Sequence, residues 1–377
     1  MISSLYLHIP FCHTKCQYCS FSSWQGRNNL HLPYVVSLKK EIERTAQSTR
    51  DRVQLKTIFF GGGTPTVLEP QYLAEILGLC KSLFPCEEDM EISFEANPGT
   101  INLKKLEALR VAGFNRISVG VQSFISDELR ILGRSHTPQQ AIDGIEMASA
   151  AGFENISLDL MYGLCGQDIE SWKESLDTAL SLNPNHLSMY QLTIEEGTPM
   201  AERVDQGILH LPDDEVIVAI DELNITECEK AGLAMYEISN YAQPGYECLH
   251  NINYWRNESY LAVGAGAVSY IDGKRERRYA DPAEYCLKVD GDSNHIVESE
   301  ELGLEESFRE TVIMSLRMTE GVSTPRLSAR YRIDIVEYYG EILTDLIRKG
   351  LVELAGEHLR LTPAGRIYSN IILAELV

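Results

Sequence analysis

The sequence predicts an α/β protein, a partial (β/α)6 barrel of the TIM type followed by a C-terminal helical, winged-helix-like domain. Three observations predict it. Six short runs rich in β-branched and aromatic residues alternate with helical stretches along the first half of the chain. They recur at roughly 30-residue spacing, the interval of βαβ units joined into a parallel sheet. The unusual residues also fall just past the carboxyl end of run after run, the face that carries the active site in such barrels. Six units are too few for a closed eight-fold barrel, and an open doubly wound sheet is the rival arrangement.

The strand runs are "SLYLHI" (4–9), "KTIFF" (56–60), "MEISFEA" (90–96), "RISVGVQ" (116–122), "NISLDLM" (155–161) and "HLSMYQL" (186–192). Helices follow the second to sixth at Gln71–Leu83, Asn102–Ala112, Pro138–Ala150, Asp168–Leu182 and Asp213–Gly232. Apolar residues recur in them at helical spacing, as in Leu103, Leu106, Leu109 and Val111, and Asn, Asp or Pro stands near several starts. The barrel is expected over residues 1–232, a connecting region rich in turn formers and aromatics over 233–300, and the last domain over 301–377. There, two or three helices from Leu304 precede "LVEL" and "LRLT" around a glycine-containing turn, which suggests a winged helix. Such modules often bind DNA, but this one is not strongly basic, and a packing or partner-contact role fits it better.

A chain of 377 residues, 44% hydrophobic, can bury a large core. Its 33 Lys and Arg against 55 Asp and Glu leave a net charge of −22, which repels nucleic-acid phosphates and argues against nucleic acid as a partner. The start "MISSLYLHIP" has no basic leader region, and no apolar run approaches the roughly 20 residues of a membrane span. A soluble cytoplasmic protein without stable membrane insertion is expected. Of nine cysteines six stand isolated, which is not a disulfide framework, so reduced thiols able to bind metal are expected.

Cys12, Cys16 and Cys19 form C-x₃-C-x₂-C within "FCHTKCQYCSF". A structural zinc site needs a fourth ligand. The next cysteines, Cys80 and Cys86, belong to another βα unit, which leaves His8 or His13 to serve. Cys16 and Cys19 alone could be a redox pair. An iron–sulfur cluster accounts for the number three directly: thiolates hold a [4Fe–4S] cube one iron each, so three leave one iron open to a substrate or cofactor. The glycine-rich "GGGTPT" (61–66) after the second strand offers bare backbone groups to an amino-acid-like ligand there. Glu95, Gln122, Arg134 and Asp159 would supply the remaining polar contacts, Arg134 forking onto a carboxylate and the two acids accepting from hydroxyl or ammonium groups. Singly, an Asp at a strand end is usually a cap and a glycine run usually a turn. Six such coincidences on one face point to a shared site.

These motifs resemble the radical S-adenosylmethionine superfamily, whose signature is C-x₃-C-x₂-C. "LYLHIPFC", "FFGGGTPT", "FEANPG", "VGVQSF", "LGRSH" and "LDLMYGL", spanning roughly 4–165, are similar to its oxygen-independent coproporphyrinogen III oxidase group. The resemblance implies that Tyr6, Gly62, Gly63, Thr64, Glu95, Gln122, Arg134 and Asp159 line an S-adenosylmethionine site, with the methionyl amine and carboxylate on the open iron. In the oxidase a fourth cysteine follows the third by two residues, a position held here by Phe21. With "YEISNYA" (236–242) and "HNINYW" (250–255), the chain looks like the haem chaperone branch, which binds haem and hands it to haem-requiring respiratory enzymes. The alternative it leaves is the oxidase itself, a radical oxidative decarboxylase. No residue is singled out as catalytic.

The resemblance also makes His250 a candidate axial ligand to haem iron, with Tyr254 and Trp255 packing on the macrocycle; the bland reading is that all three are core. "GKRERR" (273–278) concentrates four cations that could meet haem propionates or an acidic partner, though such a run is usually a solvated turn. Two departures stand out: Val268 where the group has histidine in G-A-H-S, and Cys165 where proline is usual after "YGL". An isolated cysteine such as Cys165 is more often a small buried hydrophobe than a reactive thiol.

Overall fold

The computed structural model describes every residue from Met1 to Val377. Six strands run parallel in chain order: Ile2–Ile9, Val53–Gly62, Cys86–Ala96, Arg116–Gln122, Asn155–Tyr162 and His186–Gln191. Alternation along them is inverted relative to an ordinary half-buried strand. Leu5, Leu7, Ile58, Phe60, Ile92, Phe94, Ile117, Val119, Leu158 and Leu160 point outward into one continuous apolar core under the surrounding helices. The residues between them, including Tyr6, Glu95, Arg116, Ser118, Asp159 and Ser188, line the barrel interior. A two-residue period fixes this outcome: once the apolar set packs on the helices, the polar set has only the lumen.

The five helices expected after the second to sixth strands form at Pro70–Leu83, Leu103–Ala112, Pro138–Ala150, Ile169–Ser181 and Asp214–Lys230. Their starts are chemically marked. Thr137 and Gln140 make a reciprocal capping box, as do Asp168 and Ser171, and Asn102 caps the helix it precedes. The first strand is also followed by a helix, His31–Thr49, which buries Tyr34, Val35, Leu38 and Ile42 and, with them, the carboxylate of Glu41.

The parallel run is the centre of a 12-stranded sheet. Tyr260–Val263 adds a further parallel strand beside the first, with Leu5 opposite Leu261. Antiparallel Val268–Ile271, Lys274–Arg278 and Ile296–Glu301 continue that edge. At the far edge Asn240–Ala242 and Ala234–Glu237 follow the sixth strand. The turn-rich segment between the barrel and the last helices therefore supplies six further strands.

A buried knot ties that added edge to the first helix. Glu41 accepts from Arg278 Nε at 2.9 Å, from the Gly264 backbone N–H at 2.8 Å, from His295 Nε2 at 3.1 Å and from the Tyr285 hydroxyl. Burial alone would raise its carboxyl, but the charge of Arg278 prevails, and the group falls to about 2.

A second apolar core, from Phe308 to Leu376, holds helices Leu304–Ser315, Thr324–Tyr331 and Ile335–Arg348 against a small sheet of Val322–Ser323, His358–Leu361 and Val352–Ala355. No helix in the chain is long and apolar enough to cross a membrane.

Candidate functional site

The cysteine loop springs from the end of the first strand. Phe11–Cys12 pairs in parallel with Trp24–Gln25, so the intervening residues fold back over the carboxyl end of the barrel. Phe11 is buried against Tyr34 at 5.2 Å between ring centroids and anchors the base. The middle of the loop is clamped from two sides: Gln17 N–H donates to the Leu132 carbonyl at 3.0 Å, and its own carbonyl and side chain accept from Met200 N–H at 3.0 Å and Arg203 Nη1 at 2.8 Å. Lys15 Nζ closes the turn onto the Phe21 and Ser23 carbonyls at 3.1 and 3.3 Å.

Cys12, Cys16 and Cys19 are each half-buried and line one pocket of about 460 Å³. Gly62, Gly63, Thr64, Glu95, Gln122, Arg134 and Asp159 line it too, so the structure brings together residues drawn from five strand ends. Tyr6 lies deeper, in a smaller chamber that shares Glu95 and Asp159 with the upper pocket. His8, just above, donates from Nε2 to the Ser22 carbonyl at 2.8 Å and accepts from the Tyr6 hydroxyl at 3.1 Å.

The local chemistry explains the residue types. At Gly62, φ is +113°, and a Cβ would stand 2.5 Å from the His8 ring. At Gly63 a Cβ would meet the Phe11 carbonyl oxygen at 2.6 Å. Neither position can carry a side chain while the cysteine loop keeps its place. Thr64 Oγ1 donates to Cys12 Sγ at 3.6 Å. Arg134 Nη1 donates to Cys16 Sγ at 3.4 Å, its Nη2 holds the Gly120 carbonyl, and its buried Nε has no partner. Gln122 is held at φ +69°, strained for a non-glycine residue, on the pocket wall. Glu95 accepts from Gly62 N–H at 3.1 Å; burial, reinforced by Asp159, lifts its carboxyl to about 7. Burial also raises Asp159, which accepts from Ser118 and Ser157 at 2.7 and 3.3 Å.

The donor set suits an iron–sulfur cluster and a charged organic ligand beside it. Three thiols face one pocket, hydroxyl and guanidinium donors already point at two of the sulfurs, and Arg134 keeps an orphaned buried N–H for an acceptor. No set of three His, Cys, Asp or Glu side chains is gathered tightly enough to hold a lone metal ion. Burial raises the Cys12 and Cys19 thiols above their ordinary range.

The remaining sequence candidates lie outside the cysteine pocket. His250 is 1% exposed, its Nδ1 bonded to Thr57 Oγ1 at 2.7 Å and its Nε2 to the Tyr254 hydroxyl at 2.9 Å, the packed arrangement of the core reading. "HNINYW" instead forms most of a short helix, Leu249–Trp255, that plugs the floor of the barrel, where Glu91 caps its first N–H groups at 2.9 and 3.3 Å. The cations of "GKRERR" are neutralised rather than waiting for propionates: Arg278 by Glu41, Arg275 by Glu300 and Glu310, Arg277 by Glu298. Cys165 packs into an apolar satellite with Leu132, Leu164, Leu192 and Met200. Val268 sits half-buried in the strand Val268–Ile271, opposite Arg277. Conversely, Tyr18, Asn97, Met161 and Tyr190 line the pocket without having been singled out in the sequence. Asn97 within "FEANPG", Tyr18 within "FCHTKCQYCSF" and Met161 within "LDLMYGL" lay inside the motifs, whereas Tyr190 carried only a strand signal.

The Radical SAM superfamily profile matches residues 6–179, and that of the HemN C-terminal domain matches 302–368. The chain is 36% identical to "Heme chaperone HemW" of Bacillus subtilis (strain 168), over 98% of this chain and 97% of that one. It is 35% identical to "Heme chaperone HemW" of Escherichia coli (strain K12), with the same coverage of 98% and 97%. Its fold superposes on the coproporphyrinogen III oxidase HemN from Escherichia coli, described as a radical SAM enzyme, with a TM-score of 0.86 at 26% identity, covering 100% of this chain and 90% of that one.

Proposed function

The chain belongs to the HemW family of the radical SAM superfamily, and on that premise we propose that it is a haem chaperone, one that binds haem and passes it to haem-requiring respiratory proteins. The observation that carries this reading is the likeness to heme chaperones along almost the whole chain, joined to the side chain at position 21. Where the oxidase resemblance calls for a fourth cysteine, Phe21 stands 68% exposed on the rim of the cysteine pocket.

In this reading Cys12, Cys16 and Cys19 hold a [4Fe–4S] cluster, and Gly62, Gly63, Thr64, Glu95, Gln122, Arg134 and Asp159, with Tyr6 beneath, hold S-adenosylmethionine. When bound, the cluster supplies an open coordination site and a source of one electron. The chain's own residues do the rest. Arg134 neutralises charge beside Cys16 and offers its free Nε–H to an anionic group. Glu95 and Asp159 accept from hydroxyl or ammonium groups. The backbone at Gly62 and Gly63 admits a ligand at contact distance, and the loop clamped at Gln17 keeps bulk water off the inner wall of the pocket.

Haem belongs elsewhere than on His250, whose nitrogens are engaged. The test is direct: anaerobically reconstituted protein is incubated with coproporphyrinogen III, S-adenosylmethionine and a reductant, and separately titrated with haem. The reading expects a Soret shift on haem addition and no protoporphyrinogen IX at enzymatic turnover. Protoporphyrinogen IX at turnover, or no haem binding, overturns it.

A further inference from the structure

Beneath the upper pocket lies a chamber of about 160 Å³, lined by Tyr6, Glu95, Arg116, Asp159, Tyr190 and the floor-plug residue His250 among others. Arg116 is the unusual wall. Its side chain is 2% exposed, its Nε has no hydrogen-bond partner, and only unbonded charges act on it from a distance. The two carboxylates whose charge reaches it are bonded elsewhere. Glu91 caps the helix Leu249–Trp255, and Asp159 accepts from Ser118 and Ser157. A guanidinium buried without an acceptor is costly, and its planar fork matches a carboxylate-type anion in two parallel hydrogen bonds.

We propose that this chamber is a binding site for a small planar oxyanion of the formate or bicarbonate kind, held by Arg116. The other groups facing it agree. From the sixth strand come Ser188 and Tyr190 and from the floor helix Asn251, each with a donor for an oxygen, whereas the Tyr6 and Ser118 hydroxyls are spent on His8 and Asp159. His250 contributes no charge, since burial drives its imidazole down to about 3. The two acids facing the chamber, Glu95 and Asp159, are both raised by burial, which lessens the charge they set against an anion. The size fits: at about 30 Å³ per water the chamber holds about five waters or one such anion, and not a porphyrin. Entry runs through the upper pocket, with which it shares Glu95, Asp159 and Tyr190. A ligand bound above therefore seals the anion in.

The site depends on the proposed S-adenosylmethionine pocket only for this order of entry, and the experiment separates the two. Full-length reconstituted protein, free of S-adenosylmethionine, is titrated with ¹³C-formate, bicarbonate and phosphate and followed by calorimetry and ¹³C line broadening. Saturable one-to-one binding of formate or bicarbonate is expected. Arg116→Met should weaken it at least tenfold and Arg116→Lys less. Adding S-adenosylmethionine should slow formate exchange. No saturable binding in the parent protein means the chamber holds water only and overturns the site; so does binding untouched in a folded Arg116→Met variant. Phosphate binding as tightly as formate overturns the planar assignment. If Arg116→Met does not fold, the parent decides: formate exchange that saturating S-adenosylmethionine leaves unchanged overturns the placement. A missing heat of S-adenosylmethionine binding counts against the upper pocket alone.

Discussion

Replacing Glu95 with Gln should remove a pH dependence from S-adenosylmethionine binding. Glu95 sits on the wall of the cysteine pocket, accepts from Gly62 N–H, and is lifted by burial and by Asp159 to about 7. An ionised carboxylate accepts a hydroxyl or ammonium hydrogen bond far better than a protonated one. Below neutrality the proton competes with the ligand for the same lone pairs. With half-ionisation near 7, the ionised fraction rises from about a tenth at pH 6 to about nine-tenths at pH 8, so affinity should rise roughly tenfold across that range, or about 1.4 kcal/mol. The assay is calorimetric titration of reconstituted protein between pH 6 and 8. The ligand's own amine titrates in both proteins, so the readout is the difference between the two profiles. Parent and Glu95→Gln profiles that run parallel would refute the assignment of Glu95 to the ligand.

Other consequences are equally checkable. Changing Cys12, Cys16 or Cys19 to Ser should remove most of the iron and the broad visible absorption after anaerobic reconstitution, whereas Cys80→Ser should not; an equal loss with Cys80 would reopen a zinc or different cluster arrangement. Glu41→Gln leaves Arg278 charged and buried, which should lower stability at neutral pH by about 3–5 kcal/mol in urea titrations, with much of that recovered in the double variant Glu41→Gln/Arg278→Met. Because the folded-state carboxyl of Glu41 lies below its unfolded value, the difference between parent and Glu41→Gln is full above about pH 4.5 and should shrink as pH falls toward 2. A difference that stays constant over that window would contradict the ion pair. His250→Ala should cost about 2–4 kcal/mol by emptying the barrel floor and unpairing Thr57 and Tyr254, yet leave the Soret maximum of bound haem unmoved; a moved maximum would restore His250 as a ligand.

What the sequence made legible follows the strength of its periodic signals. The six barrel strands are short apolar runs bounded by turn residues, and each appears where its pattern places it, with ends shifted by at most a few residues. The strand-end residues Glu95, Gln122 and Asp159 reach one pocket because parallel strands put all carboxyl ends on one face, and Arg134 joins them from just past the helix Ser126–Leu132. The added strands were hidden because they are three to six residues long, and Lys274–Arg278 is wholly charged, so no apolar alternation survives there. Arg116 opens a run that reads as an ordinary strand, and nothing in its neighbours says that its side chain faces the lumen. "HNINYW" misleads for a related reason: a histidine flanked by aromatics has the composition of a haem pocket and of a packed plug alike, and only the bonds to Thr57 and Tyr254 separate them.

The pairing of Leu5 with Leu261 bears on how the chain is made. During synthesis the first strand emerges early, but its outer neighbour, Tyr260–Val263, and the floor helix Leu249–Trp255 follow only after all six barrel strands have been translated. Until then the nascent barrel presents an unpaired parallel edge and an open base whose polar lumen residues lack their partners. Contacts this distant in sequence are slow to form, and exposed edges in the interim invite association between chains. Truncation before Leu249 should therefore yield not a smaller functional barrel but an aggregating one, even though every cysteine-pocket residue precedes the cut.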